Sequence, residues 1–503
     1  MKKQIITLLT LLMAIVVSSQ TLNIAVGSTV YQFPASQTGD MTYANGTSLT
    51  VMGKTFSLTD ISSMKIDDTT VIGNLVTVSY NGSSAQVTVP GNVAQYVSAT
   101  VNGAHVTIAQ TNTDAVDGDE ITYQLSGSTT DGEFSLSGEY KCTVQLAGLT
   151  LTNPNGAAIN ITNKKRIQIS AKSGTENTLV DCAKGSQTGC IYSKGQIQLQ
   201  GQGTLNVTGK TKHAIKSGDY IEVKNLTLNV KSAVADGINC NGYFLMKSGT
   251  VSISGVGDEG IQCDLDGTTS TGETTDHDDE DSGNIYIEGG TLNVVAPSSE
   301  GIESKGELRI TDGYVYVQAK DDAINAASHL TISGGYVMAN STGNDGIDAN
   351  GNLYVKGGNI VAISARSPEV ALDANTEQRY ALYITGGNIM AIGGLENGAS
   401  VSNGTAQQAS SYTKNAIYGL YKDGTLMFAV KVPSNSSMGT PMVVYTTGTT
   451  SLKSGVTGSG STFWSGNGYA ESTGGSTVSL SSYSGGNGGG GGPGGGGGPG
   501  GRW

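Results

Sequence analysis

Apolar and polar residues alternate at period two along most of this chain, the signature of strands with one buried face. No apolar stripe of period 3.6 interrupts them, so the pattern predicts strands and turns without helices. From the middle of the sequence onward the alternation is itself periodic. The copies read GNIYIEGGTLNVVAPSSEGIES from Gly283, GELRITDGYVYVQAKDDAINA from Gly306 and SHLTISGGYVMANSTGNDGIDA from Ser328. GNLYVKGGNIVAISARSPEVALDA follows from Gly351, with earlier copies from Tyr220 and Gly242 and a looser one from Gly195. A half-copy, ALYITGGNIMAIGG, begins at Ala381. Each copy is a strand, a Gly-Gly-type turn, a second strand, and an acidic residue before a small residue and an Ile.

That small residue falls at Gly237, Gly260, Gly301, Ala323, Gly346 and Ala371, in steps of 23, 41, 22, 23 and 25 residues. The long step is one repeat plus an insertion from Asp264 to Ser282. About 22–23 residues hold two or three short strands and their turns, which bury their apolar side chains only by stacking on the next copy. The spacing lacks the Leu-x-x-Leu-x-Leu pattern of leucine-rich repeats. It predicts an all-β right-handed parallel β-helix with small flanking β regions. Equivalent residues should then form ladders about 4.8 Å apart. Ile238, Ile261, Ile302, Ile324 and Ile347 form an interior ladder. Cys240 and Cys263 are adjacent steps of another, read as stacked buried thiols with a strained disulfide as the alternative.

The repeats set the domain limits. Residues 1–20 read as an export signal, with Lys2 and Lys3 ahead of the apolar run Ile5 to Val17. Residues 21–115 form an N-terminal β domain, 116–395 the β-helix and 396–484 a C-terminal β capping region. The Gly-rich tail 485–503 is a disordered linker or tether. No other stretch approaches the twenty apolar residues of a membrane span. Cys182 and Cys190 bracket a short polar loop that a disulfide would close, and Cys142 alternates with core residues.

Composition narrows the partners. Only 14% of residues are charged, the net charge is −13, and Gly numbers 74. An acidic surface disfavours nucleic-acid phosphates and suits cations. The acids are concentrated in two columns expected to face outward beside the Gly-Ile motif. Before it stand Asp236, Asp258 with Glu259, Glu300, Asp321 with Asp322, and Asp345. After it stand Lys216, Asn239, Gln262, Glu303, Asn325, Asp348 and Asp373. Carboxylates stacked at strand spacing repel one another unless a counter-charge intervenes. Carboxylate and amide oxygens converging from several strands are the ligands Ca²⁺ takes. Against this, Asp and Asn favour turns simply because their side chains bond the local backbone. The insertion, with Asp266, Asp276, Asp278, Asp279, Glu280 and Asp281, is a second acidic candidate. Tyr286 and Tyr354 share one outward column with Tyr383, and Tyr314 and Tyr336 share another. Such rows offer apolar area with polar tips to a sugar, or stabilise the sheet by stacking.

The run of G-x-[IL]-x-[IV]-x-G-G units ending in EGIE, DAIN and DGID resembles the calcium-binding parallel β-helix carbohydrate-binding family, over about Gly138 to Gly394. The resemblance implies a pectate-lyase-like fold, polysaccharide binding (cellulose and acidic pectic sugars), and a metal ladder around Asp236, Glu259, Glu300, Asp322, Asp345 and Asp348. The expectation is a secreted or cell-surface, Ca²⁺-dependent, non-catalytic polysaccharide-binding protein, monomeric and without a membrane span or nucleic-acid partner. A Ca²⁺-dependent lyase with Lys216, Lys305 or Lys320 as base is the second reading. A surface adhesin or structural stalk is the third.

Overall fold

A computed structural model describes residues 20–39, 41–265 and 282–485. The segment expected to be an export signal (but for Gln20), the acidic insertion beyond Leu265 and the glycine tail beyond Gly485 lie outside the described residues. The chain divides into two compact units, Met1–Thr291 and Leu292–Trp503. Among the described residues all regular structure is strand apart from two single-turn 3₁₀ segments, and no helix is long and apolar enough to cross a membrane.

The first unit opens with antiparallel pairs. Thr21–Val26 pairs with Thr29–Pro34 and Ile61–Asp67, and Leu75–Asn81 with Ser84–Pro90. Parallel pairing then takes over. Ala104–Gln110 runs parallel to Gly132–Gly138, and Ile121–Thr129 to Cys142–Thr152. From there three strands per repeat each pair with their equivalents one repeat on. One stack carries Ile159, Ile191, Ile215, Ile238 and Ile261 in direct register. A second carries Ile167, Ile197, Ile221, Phe244 and Ile285. The third aligns Leu205, Leu228 and Val251. All of these aliphatic residues are buried. Period-two alternation sets which face is buried, and a repeat of near-constant length sets the register.

The second unit repeats this plan. Ile302, Ile324 and Ile347 are in register, and bridges continue the row to Leu372 and Leu395. Leu308, Leu330, Leu353 and Leu382 make the second row. Val315, Val337, Ile360 and Ile389 make the third. The turn between the second and third rows needs a residue in the left-handed region, supplied by Gly313, Gly335, Gly358 and Gly387 at φ 102°, 77°, 89° and 90°. Beyond Asn388–Ile392 the parallel order ends, because Met442–Thr446 pairs with it antiparallel. A closed four-stranded barrel of Ile417–Lys422, Thr425–Lys431, Thr450–Phe463 and Gly468–Thr477 follows. Its buried Trp464 belongs to one apolar cluster with Met390, Met442 and Phe428.

The five cysteines are free. Cys182 and Cys190 are unbridged, and Cys240 and Cys263 are the stacked thiols of the first sequence reading, in register with Sγ atoms 3.6 Å apart.

Candidate functional site

In the second unit the two acidic columns come together beside the Ile302–Ile324–Ile347 row. Glu303, Asn325 and Asp348 are register partners, and the Ile347–Leu372–Leu395 bridges carry the column on to Asp373 and Glu396. The preceding column holds Glu300, Asp322 and Asp345, whose neighbours Gly301, Ala323 and Gly346 are linked strand to strand by backbone hydrogen bonds. The expected outward placement needs correction. Asp322, Asn325 and Asp345 are buried, and only Glu300, Glu303, Asp321, Asp348 and Asp373 are partly exposed. The cause is local. The Asp345 N–H donates to Asp322 Oδ1 at 2.9 Å, and the Val370 N–H to Asp345 Oδ1 at 2.6 Å. Each carboxylate therefore turns inward to cap the backbone of the next strand, the turn role foreseen for Asp.

That role uses only part of the oxygen present. Asn325 Nδ2 donates to Asp322 Oδ2 at 3.1 Å and to Asp348 Oδ2 at 2.9 Å, tying the columns together. Burial pushes the Asp322 carboxyl up to about 8, with Asp348 and Asp345 adding to the effect. Burial likewise raises Asp345 to about 7, with Glu369, Asp348 and Glu396 contributing. Asp348 and Asp373 are also raised, first by burial, and Asp373 further by its hydrogen bond to Glu396. Among the described residues no Lys, Arg or His makes an ion pair with Asp322, Asp345, Asp348 or Asp373. Glu303 differs, because Lys305 pairs with it. Glu300 accepts from Ser299 Oγ at 2.6 Å, and Asp321 from Asn344 at 2.7 Å.

The first unit places nitrogen donors in the same two columns. Asp236, Asp258 and Glu259 offer oxygens within 4.8 Å of one another. Asp236 and Glu259 are buried, and Asp258 is exposed. His213 occupies the same column one strand earlier, its Nδ1 3.2 Å from Asp236 Oδ2. Burial alone would raise the Asp236 carboxyl, but His213, Asn239 and Glu259 together hold it below the usual range. Lys216 heads the other column and donates to Asn239 and Asn241. Burial lowers its pKa.

Aromatic rows form where the spacing placed them, with one exception. Tyr354 and Tyr383 stack at 5.3 Å with an interplanar angle of 12°, and Tyr383 is exposed. Lys356 lies over the Tyr354 ring, and His329 meets both Tyr354 and the exposed Tyr380 edge-on. Tyr314 and Tyr336 stack at 5.1 Å, with Phe463 of the barrel packed against both. Tyr286 is the exception. It is 5% exposed in a cluster with Tyr220, Tyr243 and Leu245, so its ring serves packing.

The family model of carbohydrate-binding domain-containing proteins matches residues 102–298 and again 279–455, more than half of the chain. The chain belongs to this family. A carbohydrate-binding domain-containing protein of Acetivibrio thermocellus is 25% identical over 111 residues, 20% of this chain and 39% of that relative. The chain thus matches well under two thirds of the relative's length. A solved structure, titled a polysaccharide lyase-like protein from C. thermocellum, gadolinium derivative, aligns at 21% identity with a TM-score of 0.39. It covers 56% of this chain and 96% of that one. Within this family member the ladder also includes residues the repeat reading omitted. Glu396 follows Gly394-Leu395, the same small–aliphatic–acid order as Gly301-Ile302-Glu303, and was legible by allowing Leu for Ile. His213 stood in the motif as well, ahead of Ala214-Ile215-Lys216, but was passed over because it is not an acid, and Glu369 carried no such motif.

Proposed function

We propose that this chain is a secreted, non-catalytic polysaccharide-binding protein whose carboxylate ladder in the second unit holds Ca²⁺. We further infer that its repeats wind as a right-handed parallel β-helix, the hand that connections between parallel strands nearly always take. The observation carrying the metal reading is the crowding of Asp322, Asp345, Asp348, Asp373 and Glu396 on successive strands, none of them with a basic partner among the described residues. The donors fit the ion: all are hard oxygens, and Asn325 adds an amide. A divalent cation there would supply the missing positive charge and a point of attraction for a sugar carboxylate. This favours acidic, pectin-type polysaccharide as the ligand, with the stacked Tyr354 and Tyr383 as a sugar platform.

Binding without catalysis is favoured because two of the three candidate bases are occupied. Lys305 is paired with Glu303, and Lys216 is half-buried and donates to two Asn side chains. The test is affinity electrophoresis through polygalacturonate with Ca²⁺ and then with chelator, monitored in parallel for unsaturated products in the ultraviolet. Retardation that chelator abolishes, without product, is expected. Equal mobility in both gels would refute the Ca²⁺ reading, and ultraviolet absorbance would make the protein a lyase.

A further inference from the structure

A second surface is built from amides and hydroxyls. In the first unit the strands Ile121–Thr129, Cys142–Thr152, Ile167–Ala171 and Ile197–Gly201 pair in parallel. The residues alternating with their buried aliphatics are amides and hydroxyls. Thr122, Thr143, Gln168 and Gln198 align in one column. Gln124, Gln145, Ser170 and Gln200 align in the next. No charged side chain occupies either column across these four strands. All eight residues are half-buried, so each presents part of its polar group outward.

A groove of 760 Å³ runs over this face, and Gln124, Gln145 and Gln168 line it. Gln124 Nε2 donates to Gln145 Oε1 at 2.6 Å. One amide acceptor and one amide NH₂ are left at that pair, and Gln168 makes no side-chain hydrogen bond among the described residues. At the groove edge Glu120 is paired with Arg166 and lies 3.9 Å from Lys141, and the exposed Asp119 adds a second carboxylate, so the two acids and two bases balance. Ile72, 61% exposed, and Tyr140 add apolar area to the walls.

We propose that this face binds a neutral, hydroxyl-rich polysaccharide chain, independently of any metal. The proposal rests on the carbohydrate-binding reading of the family and assigns it a second site. Amide side chains donate and accept in fixed geometry, which matches the vicinal hydroxyls of a sugar ring. Parallel strands repeat such groups every ~4.8 Å, so a chain laid across the strands meets an uncharged pair, amide with hydroxyl or amide with amide, at each step. The apolar walls suit the C–H faces of pyranose rings. The columns hold no cation to compensate a uronate, and Lys141 at the edge stands beside the groove's own carboxylates Asp119 and Glu120, so the site favours neutral over acidic chains.

The test is affinity electrophoresis of the full chain through soluble galactomannan, xyloglucan and mixed-linkage glucan, with calcium and with chelator, beside a polygalacturonate gel. Retardation by at least one neutral polymer, unchanged by chelator, is expected. Gln145→Ala with Gln168→Ala should weaken it tenfold or more while leaving the polygalacturonate result as in the parent. Tyr140→Ala, outside the strands, gives a second variant with little risk to folding, expected to weaken binding severalfold. Neutral binding that persists in both variants, or that chelator removes, would overturn the proposal. Retention by polygalacturonate alone would overturn this site and leave the acidic one standing. Retention by no polymer would remove the carbohydrate reading altogether.

Discussion

The backbone N–H of Asp345 donates to Asp322 Oδ1 at 2.9 Å, so the Asp322 carboxylate is fastened to the backbone of the acid one strand on, as the Asp345 carboxylate is in turn to the Val370 N–H. Neither can swing away to relieve the repulsion. Both are buried, and burial together with neighbouring acids raises their pKa values to about 8 and about 7. The ladder is thus held in a geometry that favours either protons or a bound cation.

The pH dependence of stability follows in sign. A carboxyl whose folded pKa lies above its unfolded value near 4 contributes its full stability below that value. The contribution is lost as pH rises through the folded pKa. Without metal, the melting temperature of this protein should therefore fall between about pH 5 and pH 8, by an amount worth a few kcal/mol. Ca²⁺ in excess should flatten or reverse that trend, because it stabilises the ionised ladder. Calorimetry at three pH values with chelator or calcium reads this directly. Identical curves in the two conditions would contradict the metal assignment.

Replacing one carboxylate should separate charge from shape. Asp348 accepts a hydrogen bond from Asn325 and stands beside Asp373. Asp348→Asn keeps an acceptor there and removes a half-buried charge. At pH 8 in chelator the variant should melt higher than the parent, by about 2–4 °C for each kcal/mol of repulsion removed. The calcium-induced shift should shrink at the same time. A variant that gains from calcium as much as the parent does would exclude Asp348 as a ligand.

The interior ladders were legible because they depend only on period and spacing. Ile238 meets Ile261, and Ile324 meets Ile347, in the register the repeat length dictates. Burial of the acids was not legible. Whether Asp322 faces water depends on how the next strand's turn folds over it, and period-two reasoning does not reach into turns. The same holds for Tyr286, whose alternation matches Tyr354 while its neighbours Tyr243 and Leu245 enclose it. Glu396 went unread because the half-copy from Ala381 ends at Gly394, although Leu395-Glu396 continues it as Leu372-Asp373 does one strand earlier.

The small residue before the aliphatic ladder is a packing requirement. A Cβ at Gly301 would collide with Val317 Cγ1 and approach Ala323 O to 2.5 Å, whereas Ala323 itself fills the equivalent place one strand on. Gly301→Ala should cost about 1–3 kcal/mol by overpacking, and Ala323→Gly less. Urea denaturation of the two variants compares them. Equal, negligible losses would show that the strand shifts freely to make room.

Thiol reactivity should follow burial. Cys142, Cys190, Cys240 and Cys263 are buried, and Cys182 is half-buried. Burial also pushes the Cys142, Cys190 and Cys263 thiols up, away from the reactive thiolate. A short maleimide pulse on the native protein should label Cys182 first, with the others reacting only after unfolding. Peptide mass spectrometry locates the label. Rapid native labelling at Cys240 or Cys263 would show that this stack opens readily.

The tyrosines divide into two kinds, and substitution should expose the division. Tyr383 is 37% exposed and stacks on Tyr354, so Tyr383→Ala removes a surface ring while the interior rows stay intact. It should weaken polysaccharide retention about fivefold to tenfold, in line with the ~1 kcal/mol typical of an aromatic contact, with the melting temperature within a degree or two. Tyr286→Ala removes a ring packed at 6.4 Å from Tyr243. It should lower stability by about 3–5 kcal/mol, as large-to-small core changes do, and leave the affinity of the surviving folded protein unchanged. Affinity electrophoresis and thermal melting on both variants give four readings. If Tyr286→Ala lost affinity and kept stability while Tyr383→Ala did the reverse, the sugar platform would have to be moved to the first unit.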